Sequence, residues 1–312
     1  MPNEAPGPVT LQLSYPEGAL SHPAKGIDLK GAALAMLVSI LWGANPVAIK
    51  IGLVDAPPLR LAWMRFLIGG AVITLWAWAG GRLAGFRIER GEWRPLIFLG
   101  LLFTLQVGMM NVGTSLTSAA HSAILLNLYA VHTVVLAHFL IPGDRLSVKK
   151  VTGVLVAYSG IVLLFARQVT HDAPTLPGDV IMVVSGFILA ERTVYLARAV
   201  QHLDAVKLLL AQAAIGTALL VLISLLFEPA PTRFTASLAA SLVYQGVVIS
   251  GFNFIVNLWL LRRYRPSALA AFFLTQPLFG VVAAALVTGD PLTLELLVAS
   301  VAVALGIGLT SR

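Results

Sequence analysis

Charged and amide side chains interrupt long apolar stretches of this sequence, and these are the residues that could do chemistry. A charge at the centre of a membrane helix costs about 2.5–3.5 kcal/mol on insertion scales, so each one requires a physical reason. By helical rise, Arg65 would lie about 10 Å inside a helix that begins near residue 57. Its guanidinium group could face a cavity and bind a carboxylate or another anion. Alternatively, the long side chain extends to the membrane surface.

Glu191 is the second candidate. With Tyr195 and Arg198 it shares one helical face through i, i+4 and i+7 spacing. Arg192 points about 100° away, so the adjacent pair need not form an ion pair. Two interpretations stay open. Glu191 could couple transport to protons or bind a substrate amine, or the group could be an ion cluster at the membrane surface.

The other candidates for substrate contact are amide, histidine and indole side chains within apolar stretches: Trp42, Asn45, Trp63, Asn111, His121, Asn253 and Gln276. Hydrogen bonding between neighbouring helices is the alternative role for the amide and histidine groups. His121 and His132 lie about three helical turns apart, which is too far for one metal ion. We therefore predict no metal site and no cofactor.

Two of these amides precede a proline. In LWGANPVAIK, Pro46 deprives the carbonyl of Trp42 of its helical partner, and Gly43 adds flexibility. Gln276 and Pro277 repeat the arrangement of Asn45 and Pro46. Such sites are either ordinary kinks in packed helices or helices interrupted beside a substrate path.

The composition is that of an integral membrane protein. Of 312 residues, 58% are hydrophobic and only 11% are charged, against roughly 25% charged in soluble domains. The net charge of +7 comes from cations in loops between apolar stretches, so a nucleic-acid partner is not expected. The absence of cysteine excludes thiolate chemistry and disulfides.

The apolar stretches predict an all-α membrane protein with about ten transmembrane helices. Their approximate limits are 31–54, 57–80, 95–113, 118–141, 150–167, 178–199, 205–227, 236–261, 266–288 and 291–310. Residues 1–29 are polar and rich in proline, which predicts a disordered cytoplasmic tail. Most of the 21 Lys and Arg residues fall on one side, so both termini are expected in the cytoplasm.

The two halves of the chain repeat. Gly143, Asp144 and Leu146 recur 146 positions later as Gly289, Asp290 and Leu292, and Gly160 recurs as Gly306. Because each repeat, 30–167 and 178–311, contains five predicted helices, the second should enter the membrane inverted. Inverted repeats place a binding site near the midplane and allow alternating access.

SILWGANPVAIKIGL with PPLRLAWMRFLIGG, and later RRYRPSALAAFFLTQPLFGVVAAALVTGDPLTLE, resemble EamA-type repeats of the drug/metabolite transporter superfamily. The resemblance implies an inverted 5+5 arrangement and, in bacterial members, export of amino acids or other small metabolites. It places Trp42, Asn45, Pro46 and Arg65 on family motif positions. This chain departs from the pattern at Gln276, where the family usually has glutamate, and at Asp144 and Asp290.

We therefore predict a bacterial inner-membrane transporter that exports amino acids or related metabolites through a midplane cavity. Its partners would be the lipid bilayer, a small-molecule substrate and protons as the candidate coupling ion, in a monomer or homodimer. The alternatives are a membrane-embedded enzyme acting on lipid-linked substrates and an uncoupled metabolite facilitator.

Overall fold

The computed structural model describes residues 27–83, 86–140, 146–170, 175–199, 203–264, 269, 272–273 and 275–310. Within these ranges all regular structure is helical. The helices of the first half are α1 Leu29–Gly52, α2 Pro58–Ala79, α3 Trp93–Leu116, α4 Ala119–Asn127, α5 Tyr129–Leu140 and α6 Val148–Thr170. Those of the second half are α7 Leu176–Ala199, α8 Ala205–Phe227, α9 Ala236–Val243, α10 Phe254–Arg263, α11 Gln276–Val287 and α12 Leu294–Thr310.

Six helical segments in the described ranges are long and apolar enough to cross a membrane. They are Leu29–Gly52, Pro58–Ala79, Trp93–Leu116, Ala119–Leu140, Ala205–Phe227 and Ala236–Asn257. Every stretch predicted from the sequence overlaps a helix, although six residues near the start of the ninth stretch, 266–268, 270–271 and 274, lie outside the described residues. The all-helical class is thus confirmed, whereas the number of spans and the inverted arrangement stay predictions. Residues 1–26 of the predicted tail and Asp144 also fall outside the description.

Side-chain caps and prolines set the helix starts. The Asp28 carboxylate accepts from the backbone N–H of Gly31 at 2.7 Å and begins α1. Ser118 and Thr235 cap α4 and α9 in the same way, and Asp204 caps α8. Each cap satisfies a backbone donor that the first helical turn cannot pair internally. The sequence therefore determines several boundaries locally.

The start of α2 is capped by a residue distant in sequence. Pro57, which precedes α2, offers no capping side chain. The Glu228 carboxylate, at the end of α8, instead accepts from the backbone N–H groups of Leu59 at 2.7 Å and Arg60 at 2.8 Å. Arg60 donates back to the Glu228 carbonyl at 2.6 Å. These contacts join the two halves of the chain at one end of the bundle.

Glu228→Ala should lower the free energy of unfolding by about 1–2 kcal/mol, because it leaves two N–H donors at the helix start unpaired. Glu228→Gln should cost less, since its amide oxygen still accepts one of these bonds. Thermal unfolding in detergent measures both. Equal losses for the two variants would contradict the capping role.

At the other end of the bundle, α3 and α8 begin, and we call this the cationic end because Arg82, Arg94, Arg198 and Lys207 lie there. Glu92 accepts from the backbone N–H of Glu89 at 2.8 Å and pairs with Lys207 at 2.9 Å. The Glu89 N–H first, and Lys207 second, hold the pKa of the Glu92 carboxyl below its ordinary value of 4.5.

Because the pKa of the Glu92 carboxyl is lower in the folded protein, its contacts stabilise the fold at pH values above the ordinary pKa. This stabilisation is lost as the pH falls through the pKa of the folded protein. The difference in thermal midpoint between wild type and Glu92→Gln should therefore be largest near neutral pH and shrink as the pH falls below the ordinary pKa of 4.5. A difference that stays constant over this range would contradict the assignment.

Glycines permit close helix crossings at two places. A Cβ atom on Gly43 would lie 2.6 Å from the carbonyl oxygen of Gln276, and one on Gly280 would lie 2.9 Å from the Gly43 oxygen. A Cβ on Gly306 would lie 2.5 Å from the Gly153 oxygen. The pairs fix α1 against α11 and α6 against α12, as small residues do in membrane bundles.

A π-helical segment, Tyr244–Asn253, connects α9 to α10. Within it, the Ser250 hydroxyl donates to the carbonyl of Gln245 at 2.8 Å, five residues earlier. Such segments are rare in helices and occur frequently at functional sites. This one packs against α2 and carries the amide that contacts Arg65.

Candidate functional site

A cavity lies between the two halves of the chain, in the part of the bundle nearer the cationic end. Its lining comes from α2, α3, α7, α8, the π-helical segment and α10. The lining residues are Phe66, Gly69, Gly70, Ile73, Phe103, Arg192, Leu209, Gln212, Ala213, Ser250 and Phe254. In this conformation the space inside it is only about 20 Å³, room for about one water molecule, so the cavity must widen before it can hold an organic ligand.

Arg65 is not part of the cavity lining, but it lies one helical turn before the lining residue Gly69, on the same face of α2. The side chain is 3% exposed, and its Nη1 donates to Oε1 of Gln245 at 3.1 Å. Gln245 donates to the Ser241 hydroxyl at 2.7 Å, which donates to the carbonyl of Ala48 at 2.7 Å. These bonds join α2, the π-helical segment, α9 and α1, so Arg65 is held in the interior and does not extend to the membrane surface.

Arg192 reaches the cavity from α7 and is 8% exposed. Its Nε donates to Oε1 of Gln212 at 2.9 Å, and its Nη1 donates to Oε1 of Gln106 at 3.0 Å. Both partners are neutral amides from α8 and α3. The guanidinium group is therefore fixed in position without being neutralised.

Two phenylalanine rings lie against the two guanidinium groups. The Arg65 group is 4.4 Å from the centroid of Phe66, and the Arg192 group is 4.8 Å from that of Phe103. The two rings meet edge to face with centroids 4.5 Å apart. Cation–π contacts of this kind attract a cation to the ring face but do not remove its charge.

Arg192 brings a positive charge to the cavity lining, and Arg65 adds a second positive charge nearby. Arg65 and Arg192 are close enough for their charges to repel each other. Among the described residues neither forms a salt bridge, and the buried Nε of Arg65 has no hydrogen-bond partner there. Both guanidinium groups remain protonated in proteins. Such a site is well suited to binding an anion.

The end opposite the cationic end is closed by polar contacts, some within the first half and some between the halves. Lys50 donates to the carbonyls of Thr114 at 3.1 Å and Thr117 at 2.5 Å. Asp179, at the start of α7, accepts from the Thr117 hydroxyl and contacts His121 Nδ1 at 2.8 Å. His121 therefore lies at this closed end and does not line the cavity.

Between the cavity and the closed end, several buried polar atoms have no hydrogen-bond partner in the described ranges. Examples are Asn45 Oδ1, Asn111 Oδ1, Ser122 Oγ and Gln276 Nε2. Their helices α1, α3, α4 and α11 pack against one another. Because unpaired buried polar atoms are costly, these groups are candidates to meet water or substrate in another conformation.

The remaining predicted site residues have structural surroundings outside the cavity lining. Trp42 contacts the rings of Phe254 and Phe273, each at 6.0 Å, and Trp63 packs in the cluster that contains Phe66. Tyr195 packs on Phe98 at 4.6 Å, and Asn253 donates to the Val38 carbonyl at 3.2 Å.

The predicted kink and acid residues also have defined positions. Pro46 lies within the continuous helix α1, whereas Pro277 is in the first turn of α11. The half-buried Glu191 makes no hydrogen bond or ion pair with any described residue and is absent from the cavity lining. Its neighbour Arg192 faces the cavity instead.

The residues that sequence reasoning missed are the glutamines that hold the two guanidinium groups: Gln106, Gln212 and Gln245. Each is an amide isolated in an apolar stretch, which was a usable signal. Their pairing with particular arginines depends on helix packing. The role of Arg192 could have been suspected from its charge alone.

Comparison with known proteins gives consistent results. The model of the EamA-like transporter family matches residues 29–166 and 176–312. An uncharacterized transporter of Archaeoglobus fulgidus is 28% identical over 82% of this chain and 88% of its own length. A probable amino-acid metabolite efflux pump of Salmonella typhimurium is 27% identical over 85% and 89%. A protein of the same name from Escherichia coli is 25% identical to this chain.

A solved crystal structure shares the fold. It is 21% identical to this chain, with a TM-score of 0.65, and covers 90% of this chain and 96% of its own. The family match spans both halves, and the apolar helices are those of a membrane protein. The chain therefore belongs to the EamA-like transporter family and is a membrane-embedded transporter of small molecules.

Proposed function

We propose that this protein exports amino acids or related small metabolites that carry a carboxylate, by alternating access through the cavity between its halves. The observation that carries this proposal is the buried Arg65, held by Gln245 beside a cavity lined by both halves. A fixed guanidinium group in a region of low dielectric constant binds a carboxylate strongly. Two relatives named as probable amino-acid metabolite efflux pumps support the substrate class.

Alternating access requires a second conformation in which the closed end opens. The contacts of Lys50, Asp179 and Glu228 would act as a gate at that end, and the unpaired atoms of Asn45 and Asn111 would line the path behind it. In this proposal the cationic end faces the cytoplasm of a bacterial inner membrane, as the distribution of Lys and Arg favours. The two halves would be inverted repeats of five helices each.

The uncoupled facilitator is the second candidate. Its supporting observation is that no described residue of the cavity lining carries a carboxylate, so proton coupling would have to use groups elsewhere. Glu191, or the pair His121 and Asp179 at the closed end, would supply them. Flux that is unchanged when a proton gradient is collapsed would favour the facilitator.

Purified protein in proteoliposomes tests the main proposal. Vesicles loaded with unlabelled amino acids or other carboxylates should accumulate the same labelled compound by exchange. Protein-free vesicles are the control. If no carboxylate in the panel exchanges, while the protein is inserted and monodisperse, the proposed substrate class is wrong.

A further inference from the structure

We infer that the cavity selects organic acids with a net negative charge over the corresponding zwitterionic amino acids, with dianions bound most tightly. This inference rests on the proposed export of carboxylates and narrows its substrate class. It follows from a buried guanidinium group in the lining, a second one beside it, an aromatic wall and the lack of an acidic side chain among the described lining residues.

The first step is the charge balance of the site. Arg65 and Arg192 together contribute two positive charges, and their described partners are the neutral amides of Gln245, Gln106 and Gln212. One carboxylate on the ligand would neutralise only one of these charges. A second acidic group would neutralise the other, whereas an ammonium group would be repelled by both.

The second step concerns where an ammonium group could bind. Glu191 is the one acidic residue of the sequence that falls more than a turn inside a described helix, since the others lie in loops, at caps or in first turns. It is next to Arg192 but is absent from the cavity lining, so it offers no binding position there. Acidic residues of the closed end already contact partners, among them Asp55, Asp179, Glu228 and Asp290.

The third step concerns the rest of the ligand. Phe66, Phe103, Ile73 and Phe254 provide an apolar lining close to both guanidinium groups. This surface suits a short hydrocarbon or aromatic group better than a strongly hydrated one. The ligand class is therefore a small acid with an apolar side group.

A set of compounds that share a benzyl group tests the charge dependence directly. The probes are benzylmalonate, 3-phenylpropanoate, phenylalanine and 3-phenylpropanamide, which share the phenyl group and differ in the polar groups. A parallel aliphatic set is isobutylmalonate, 4-methylpentanoate and leucine. Binding to the intact purified protein is measured by calorimetry at neutral pH and by thermal stabilisation.

We expect Kd to fall roughly tenfold from the zwitterion to the monoanion, and further for the dianion, since tenfold corresponds to only about 1.4 kcal/mol. Binding should weaken with salt less than for a surface site, because the charges are buried. Equal or tighter binding of phenylalanine and leucine would overturn the selectivity but leave carboxylate export intact. If no acid of either set binds, the carboxylate site itself is wrong.

Variants distinguish a role of Arg192 in ligand selection from a purely structural role. Arg192→Gln should reduce the ratio of Kd values between phenylalanine and benzylmalonate by about tenfold, because one repulsive charge is gone. Arg198→Gln, an exposed position in the same helix, should leave this ratio unchanged. If Arg192→Gln does not fold, the ligand series on wild-type protein still decides the question. A ratio that Arg192→Gln leaves unchanged contradicts the inference.

Discussion

Arg65→Gln is expected to reduce the exchange rate of a carboxylate substrate at low concentration by roughly 100-fold. Removing one partner of a buried, hydrogen-bonded charge pair costs about 2–5 kcal/mol, and each 1.4 kcal/mol is tenfold. Glutamine is chosen because it can still hydrogen-bond to Gln245 while losing the charge. The change also removes the buried Nε that lacks a partner in the described ranges, so folding should be retained. Exchange in proteoliposomes measures the loss.

Arg82→Gln is the matched control for this substitution. Arg82 follows the same helix, is exposed and stacks on the ring of Trp76 at 3.9 Å. The Arg82→Gln substitution removes the same charge from the protein at a position outside the cavity lining. The exchange rate of this variant should stay within about twofold of wild type, because most surface substitutions have small effects. An Arg65→Gln variant that is folded and exchanges carboxylates like Arg82→Gln would exclude Arg65 from the site.

The helices were predictable because their causes are local. Apolar length, prolines such as Pro57 and capping residues such as Asp28 and Asp204 determine where helices begin. The cap supplied by Glu228 to the start of α2 was not predictable, because the contact joins residues that are distant in the chain. The π-helical segment Tyr244–Asn253 was equally hidden, since nothing in its sequence indicates a π-helix instead of an α-helix.

For the candidate site, the sequence indicated which residues are candidates but not where the structure places their side chains. Arg65 was found because a guanidinium group within an apolar stretch requires a reason, and the structure places it beside the cavity. Between Glu191 and Arg192 the sequence favoured the acid, yet the rotation of α7 turns the arginine to the cavity. His121 is predicted to contact substrate; it lies at the start of α4, at the closed end with Asp179, and its role in binding stays a prediction. Helix rotation and depth follow from packing, which one sequence does not reveal.

Gly69→Ala is expected to reduce transport by roughly 10- to 100-fold and to lower the thermal midpoint by several degrees. A Cβ atom on Gly69 would lie 2.4 Å from Cβ of Ser250 and 3.2 Å from the carbonyl oxygen of Gly246. Neither atom is the end of a flexible side chain, so α2 and the π-helical segment must separate. Overpacking of this kind costs about 1–3 kcal/mol. The separation would also displace Gln245 from Arg65, and misplacement by about 1 Å can cost 100-fold in a preorganised site.

Gly70→Ala provides a control at the adjacent position of the same helix. A Cβ atom there would have its nearest neighbour, Cβ of Ala213, at 3.6 Å, which is an ordinary contact. The gain in helix propensity should leave Gly70→Ala as stable as wild type or slightly more stable. Both glycines line the cavity, so a general effect of narrowing it would appear in both variants. Equal losses of transport in Gly69→Ala and Gly70→Ala would therefore indicate an effect of cavity volume. That result would contradict the proposal that the close contact at Gly69 holds Gln245 against Arg65.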